Sequence, residues 1–376
     1  MYKYILNIIF FLLINYITLA QTTKKIEHFT INQGLSQTTV TCIFQSSDGI
    51  IWIGTQDGLN FFDGYNFTII KKNNKDTNSI SNNYINDICE GNNGDIIIAT
   101  QKGITVWNRK ENIFKRINIV EDKFTSLNNN INQVVYSSGT IWALTKNKLI
   151  KINKNSIKKY NYAVDTSIFS ASENIDLYNL TNLIIDKNKN LWFATPAGLK
   201  TFYPKSERLL KIYDNSNIHF TNTKAQYILE KSNSFWIGTS SGLNEFNKKT
   251  GTFDSIYYYN NDSSYIKENT INNIFIDTNN TFWLGTNKGI KTFDGNKICD
   301  FNNDEINSIK TEITSIFKDN SNNIWIGTRY SGIYRISLDK KKFKSFTDLP
   351  NQNKYVFAIH IDKKEQIWLG TKGLVI

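Results

Sequence analysis

Ile51-Trp52-Ile53-Gly54-Thr55-Gln56-Asp57-Gly58-Leu59 is one of eight variants of the same phrase in this chain. Its tryptophan position is filled by Trp52, Ile97, Trp142, Trp192, Trp236, Trp283, Trp325 and Trp368, at spacings of 45, 45, 50, 44, 47, 42 and 43 residues. A period of this length is that of one four-stranded blade of a β-propeller.

The columns of the repeat have physical content. Three residues after each tryptophan position stands a threonine: Thr55, Thr100, Thr145, Thr195, Thr239, Thr286, Thr328 and Thr371. A β-branched hydroxyl residue at a strand end both packs and bonds the following turn. The residue before it is small in all copies but one, Leu144, so a neighbouring group can approach closely. Turn glycines follow (Gly58, Gly103, Gly198, Gly242, Gly289), with Gly332 one residue late and Gly373 one early. Glycine adopts positive φ without steric cost.

Seven of the eight tryptophans, Trp52, Trp142, Trp192, Trp236, Trp283, Trp325 and Trp368, share one column. A ligand-stacking indole has no reason to recur in every blade, whereas a packing one does. Each buries about 150–250 Å², roughly 4–6 kcal/mol gross, and we read them as wedges between blades. Trp107 falls in a second column with Phe62, Ile152, Phe202, Phe246, Phe293 and Ile336, also read as core.

In the first copy this reading places strand A at 40–45, B at 50–55, C at 59–63 and D at 67–71. The strands are nearly continuous apolar runs, as expected where both faces of a sheet are covered. The segment from Lys24, Lys-Lys-Ile-Glu-His-Phe-Thr, aligns without a gap with Lys-Lys-Phe-Lys-Ser-Phe-Thr from Lys341. An N-terminal strand of D type would complete the last blade and remove the exposed sheet edges. The expected fold is therefore all-β: a propeller of four-stranded antiparallel blades, seven with an overhang, or alternatively eight. The domains expected are a signal peptide over 1–20, the propeller over 21–348, and the start of an eighth blade or second propeller over 349–376. The abrupt end after Ile376 suggests a partial chain.

Met1-Tyr2-Lys3, the apolar run 5–19 and Ala20 before Gln21 have the pattern of an export signal, which implies a periplasmic protein. The 44 Lys and Arg against 33 Asp and Glu give a net charge of +11, but the lysines are scattered, so no nucleic-acid partner is expected. Cys42, Cys89 and Cys299 are odd in number and irregularly spaced, which is not a disulfide framework.

The phrases Asn32-Gln33-Gly34-Leu35-Ser36-Gln37 and Phe44-Gln45-Ser46-Ser47-Asp48-Gly49, running on through Trp52 to Tyr65, resemble the two-component regulator propeller repeats. That resemblance covers about residues 24–376. It implies the periplasmic sensor region of a Bacteroidetes-type hybrid two-component system, typically two propellers before a membrane helix and kinase, and recognition of glycan breakdown products. This sequence contains no kinase residues, so the resemblance implies a sensor and not an enzyme. A possible homodimer and downstream membrane and kinase modules are the implied partners.

For ligand binding, the turns between strands B and C vary while the framework repeats, as a binding face on a rigid scaffold would. Their residues are Gln56, Asp57, Gln101, Lys102, Ser240, Ser241, Asn287, Lys288, Arg329 and Tyr330, with Lys146-Asn147 in the third copy. Arg329 and Tyr330 together suit a sugar acid. The Asp/Asn-rich stretches starting at Asp186, Asp277 and Asp319 lack the ligand spacing of a calcium loop and read as turns. No cofactor motif, zinc spacing or nucleophile elbow occurs, and His28, His219 and His360 do not recur together. An alternative is a scaffold or adhesion propeller; a lyase or glycosidase would have to use channel carboxylates such as Asp87 and Glu90.

Overall fold

The computed structural model describes residues 26–117, 130–145, 149–154, 162–165, 180–195, 198–205, 208–213, 225–257, 270–301, 304–337, 356–361, 367–371 and 374–375. The export-signal segment, His219 and residues 341–348 lie outside these. Residues 23–338 form one compact unit and the chain from Asp339 belongs to a second.

The first unit is a seven-bladed β-propeller of four-stranded antiparallel sheets. Blade 1 is Val40–Gln45, Ile51–Thr55, Gly58–Phe62 and Phe67–Ile70, paired in that order. The next five repeat this meander, with strands A starting at Ile85, Gln133, Asn182, Ala225 and Ile271. Blade 7 takes three strands from its own repeat, Ile313–Lys318, Asn323–Thr328 and Ile333–Ser337. Its fourth is the N-terminal strand Ile26–Phe29, paired antiparallel with Ile26 opposite Ile336 and Phe29 opposite Ile333. This is the closure expected from the likeness of the two segments. The eighth copy forms a separate three-stranded sheet, Val356–Ile361, Ile367–Thr371 and Leu374–Val375, and does not enter the ring.

The tryptophan column does act as a wedge. Within the ring its six indoles are 1–8% exposed. Four meet aromatic rings of the next blade: Trp52 on Trp107, Trp142 on Phe202, Trp192 on Phe235 and Phe246, and Trp236 on Phe282 and Phe293, while Trp283 clusters with Ile313 and Ile316 of blade 7. Trp325 closes the circle on Phe62 of blade 1. The second column of the repeat is therefore the receiving surface for the first. Trp368, in the second unit, is 43% exposed, so the burial expected of it is a property of the ring copies alone. Trp107 is only half-buried, stacked on Phe114 and bonded through Nε1 to Asn112.

The small residue before each threonine has its reason in the same interface. A Cβ on Gly54, Gly238, Gly285 or Gly327 would stand 2.7–2.9 Å from Ile85, Ile271, Ile313 or Val40, the first residue of the next blade's strand A. The outer strands depart from the expectation of two covered faces. Phe67–Ile70 is half-buried at its two ends and exposed at Thr68 and Ile69, since strand D has solvent on its outer edge.

Candidate functional site

The threonine column builds the B–C turns. Thr55, Thr100, Thr239 and Thr286 each donate Oγ1–H to the carbonyl of the turn glycine at 2.8–3.0 Å. The same hydroxyls accept the backbone N–H of Asp57, Lys102, Ser241 and Lys288. Strand order puts these turns at one end of the ring.

Several polar groups in the turns are tied to the framework. Asp57 receives Lys71 Nζ at 2.6 Å and Asn83 Nδ2 at 3.0 Å, and Gln56 donates to the Tyr84 hydroxyl. Arg329 makes a two-pronged bond to Glu312, Nε to Oε2 at 2.5 Å and Nη2 to Oε1 at 2.7 Å. Asn287 Oδ1 accepts from Asn272, and the Ser240 carbonyl from Thr270. Gln101, Lys102 and Tyr330 are exposed, Tyr330 by 71%. The described turn residues therefore share one end of the ring, but none of them lines its central channel, and Lys146 and Asn147 lie outside the described residues.

That channel, about 300 Å³, is lined by all seven strands A. Neighbouring strands A are not paired with one another, so their inward edges need other partners. Side chains supply them from one blade to the next. Asp87 Oδ2 accepts the N–H of Val134 at 3.0 Å, and Gln133 Oε1 accepts that of Leu183 at 2.7 Å. Asn182 Oδ1 accepts from Ile228, and Asn273 Oδ1 from Ile316. The equivalent positions in the other blades are Cys42, Tyr227 and Ser315. In five blades a β-bulge precedes this column, with the register shifting at Thr41, Asn86, Gln226, Asn272 and Thr314. A bulge re-aims the inserted residue. Asn86 thereby donates to the Ile131 carbonyl and Asn272 to the Ile313 carbonyl, each in the following blade.

Among the described residues, Asp87 is the one carboxylate in the channel lining. Its side chain lines the lumen and is half-buried. Burial pushes its pKa up to about 7, against the opposing pull of the Val134 and Ile88 amides. Burial also raises the pKa of the Cys42 and Cys89 thiols and the Tyr227 phenol, and the Asp87 charge adds to each. Cys42, Cys89 and Cys299 are free thiols.

The repeat made this column hard to see, because its residue type changes from blade to blade. Its signal is a polar residue recurring at one place in otherwise apolar inner strands. Of the two channel carboxylates expected, Asp87 is there and Glu90 is not. Three residues on, Glu90 points to the opposite face of the strand and binds Ser47 through its backbone N–H and hydroxyl. It lines a separate cleft with Asp48 and Arg109.

The acidic turns are hairpin turns that also hold the wedges. Asp186, Asp277 and Asp319 accept two backbone N–H groups of their own turn and then the indole N–H of Trp192, Trp283 and Trp325 at 2.8–3.1 Å. His28 stacks on Tyr334 at 4.2 Å in the closing strand. His360 lies in the second unit.

A closed ring of repeated four-stranded blades with cross-blade wedges defines the class of this protein: a seven-bladed repeat propeller. Residues 34–57 and 307–330 match the family model described as two component regulator propeller, and the chain carries repeats of that family in blades 1 and 7. A stretch of 53 residues, 14% of this chain, is 51% identical to 4% of Histidine kinase P4 from Formosa agariphila. The fold is similar to the extracellular domain of BT3049 from B. thetaiotaomicron, described as a hybrid two component system. The TM-score is 0.66 at 24% identity, covering 92% of this chain and 47% of that one. The extracellular domain of BT4673 from the same organism gives 0.62 at 21% identity, over 92% and 44%. The chain thus spans about half the length of these domains. Virginiamycin B lyase from Staphylococcus aureus gives 0.62 at 12% identity, over 84% of this chain and 100% of that one. At these identities the likenesses are of fold.

Proposed function

We propose that the ring is the extracytoplasmic ligand-sensing propeller of a two-component signalling system, and that its ligand is an oligosaccharide released by glycan breakdown. The observation that carries this reading is the presence of two-component regulator repeats in a chain whose fold is similar to extracellular domains of two-component systems. The export-type N-terminus supports a periplasmic location.

The receiving surface is the end of the ring that carries the B–C turns. There Gln101, Lys102 and Tyr330 are presented to solvent, on a scaffold held rigid by the wedges. An aromatic face beside hydroxyl and amide groups suits a sugar ring, and the Arg329–Glu312 pair fixes the base from which Tyr330 projects.

The test is a thermal shift of the whole secreted chain against a panel of neutral and acidic oligosaccharides, since a ligand of the folded state raises Tm. A saturable rise with one class, lost in Tyr330→Ala or Lys102→Ala, is the expected result. No rise with any member of the panel would leave the ring as a scaffold, and turnover of a glycan would make it an enzyme.

A further inference from the structure

We infer that the central channel is a binding site for a monovalent cation, an alkali ion or the ammonium group of a small amine, with the Asp87 carboxylate as its charged ligand. The lining itself carries this. Among the described residues, seven strands contribute amides and hydroxyls together with one carboxylate, and no lysine or arginine, in a chain whose net charge is +11. A lumen walled by protein focuses the field of the one charge it contains. When ionised that group is negative, which disfavours an anionic ligand.

The donor set also selects against a divalent ion. Calcium sites surround the ion with several carboxylates, whereas here one carboxylate stands among neutral oxygens. One negative charge and a ring of dipoles match one positive charge.

The neutral oxygens are also placed by the fold. The Gln133 and Asn182 carbonyls each accept an N–H from the following blade, which fixes their direction. Gln133 Oε1 also accepts the Asn182 Nδ2–H at 3.4 Å, whereas the Asn182 oxygen has a second lone pair to offer. Across the channel, Thr314 is the bulged residue of blade 7, and its buried Oγ1 has no hydrogen-bond partner. A buried hydroxyl without a partner is costly to the fold. The burial that disfavours an ionised Asp87 is relieved by the same ion.

The experiment is a thermal titration of the secreted chain with KCl, NaCl or methylammonium chloride, made up to one fixed ionic strength with choline chloride, whose quaternary head offers no N–H. A saturable rise in Tm with at least one of the first three, over choline alone, is expected. The salt that gives it tells an inorganic ion from an amine. Asp87→Asn keeps the shape and the acceptor for Val134, as Asn182 and Asn273 do in their own blades, and should weaken half-saturation at least ~tenfold. As a check that needs no variant, the Asp87 carboxyl followed by NMR should titrate at a lower pH in the effective salt than in choline. Equal response to all four salts, an unmoved Asp87 titration, or an Asp87→Asn protein that responds as the wild type does would each overturn the assignment.

Discussion

The indole of Trp325 lies 6.1 Å from the ring of Phe29, with the two planes 21° apart. One residue comes from blade 7 and the other from the strand that opens the ring, so this stack is part of the clasp. Phe62 of blade 1 meets the same indole edge-on at 5.6 Å, and the Arg335 guanidinium sits 5.4 Å from its centre. Trp325→Ala removes these contacts and the bond from Nε1 to Asp319. It is expected to destabilise the ring by about 3–5 kcal/mol. Trp325→Phe keeps the stack and loses the bond, and should cost less. Urea unfolding of both variants, with m compared to wild type, checks the order.

The polar half of the clasp makes a separate prediction. Glu27 and Arg335 face each other across the closing pair and form a half-buried ion pair. Glu27→Lys puts two cations opposite one another, as Lys344 would if the look-alike segment from Lys341 took this place. Hydrogen exchange should then rise first at Ile26–Phe29 and at strand C of blade 7, while the inner strands of blades 3 to 5 keep their protection. Uniform loss across all blades would mean the ring opens as a whole.

Gly327 is a steric fit, tested by a pair of substitutions. A Cβ there would meet Val40 Cγ1 at 2.7 Å, across the junction of blades 7 and 1. Gly327→Ala should cost about 1–3 kcal/mol by overpacking. Adding Val40→Ala gives the new methyl room, so the double variant should be more stable than the sum of the single effects. A double-mutant cycle showing simple additivity would disprove the contact.

These sites show what the sequence made legible. The Trp-to-Thr phrase reported the wedge, its spacing the blade, and the gapless match of the segments from Lys24 and Lys341 the closure, because each depends on a residue type that repeats. The channel column was obscure for the opposite reason. Asp87, Gln133 and Asn182 do one job, accepting an N–H from the next blade, with different side chains. Arg329 was legible as an exposed turn residue but its partner was not. Glu312 stands 17 residues earlier, before strand A, and only the fold brings them together. The outer strands were read as too buried, since apolar content alone does not distinguish a covered face from the rim.

Asp87 makes the last prediction, through pH. Its folded pKa is about 7, above the ordinary carboxylate value of 3.8. The folded state therefore holds its proton more tightly than the unfolded one, and stability falls as pH rises through the window between these two values. The shift of roughly three units sets a difference on the order of a few kcal/mol, complete above about pH 7 and absent below about pH 4. The groups that feel the same charge, Cys42, Cys89 and Tyr227, all have their pKa raised by burial and stay neutral in this window. Asp87→Asn abolishes the titration while keeping the bond from Val134. It should match wild type near pH 4 and exceed it in stability at pH 8 in choline buffer. Urea midpoints measured across that range for both proteins decide the matter, and parallel curves would show that Asp87 ionises in the fold as it does in water.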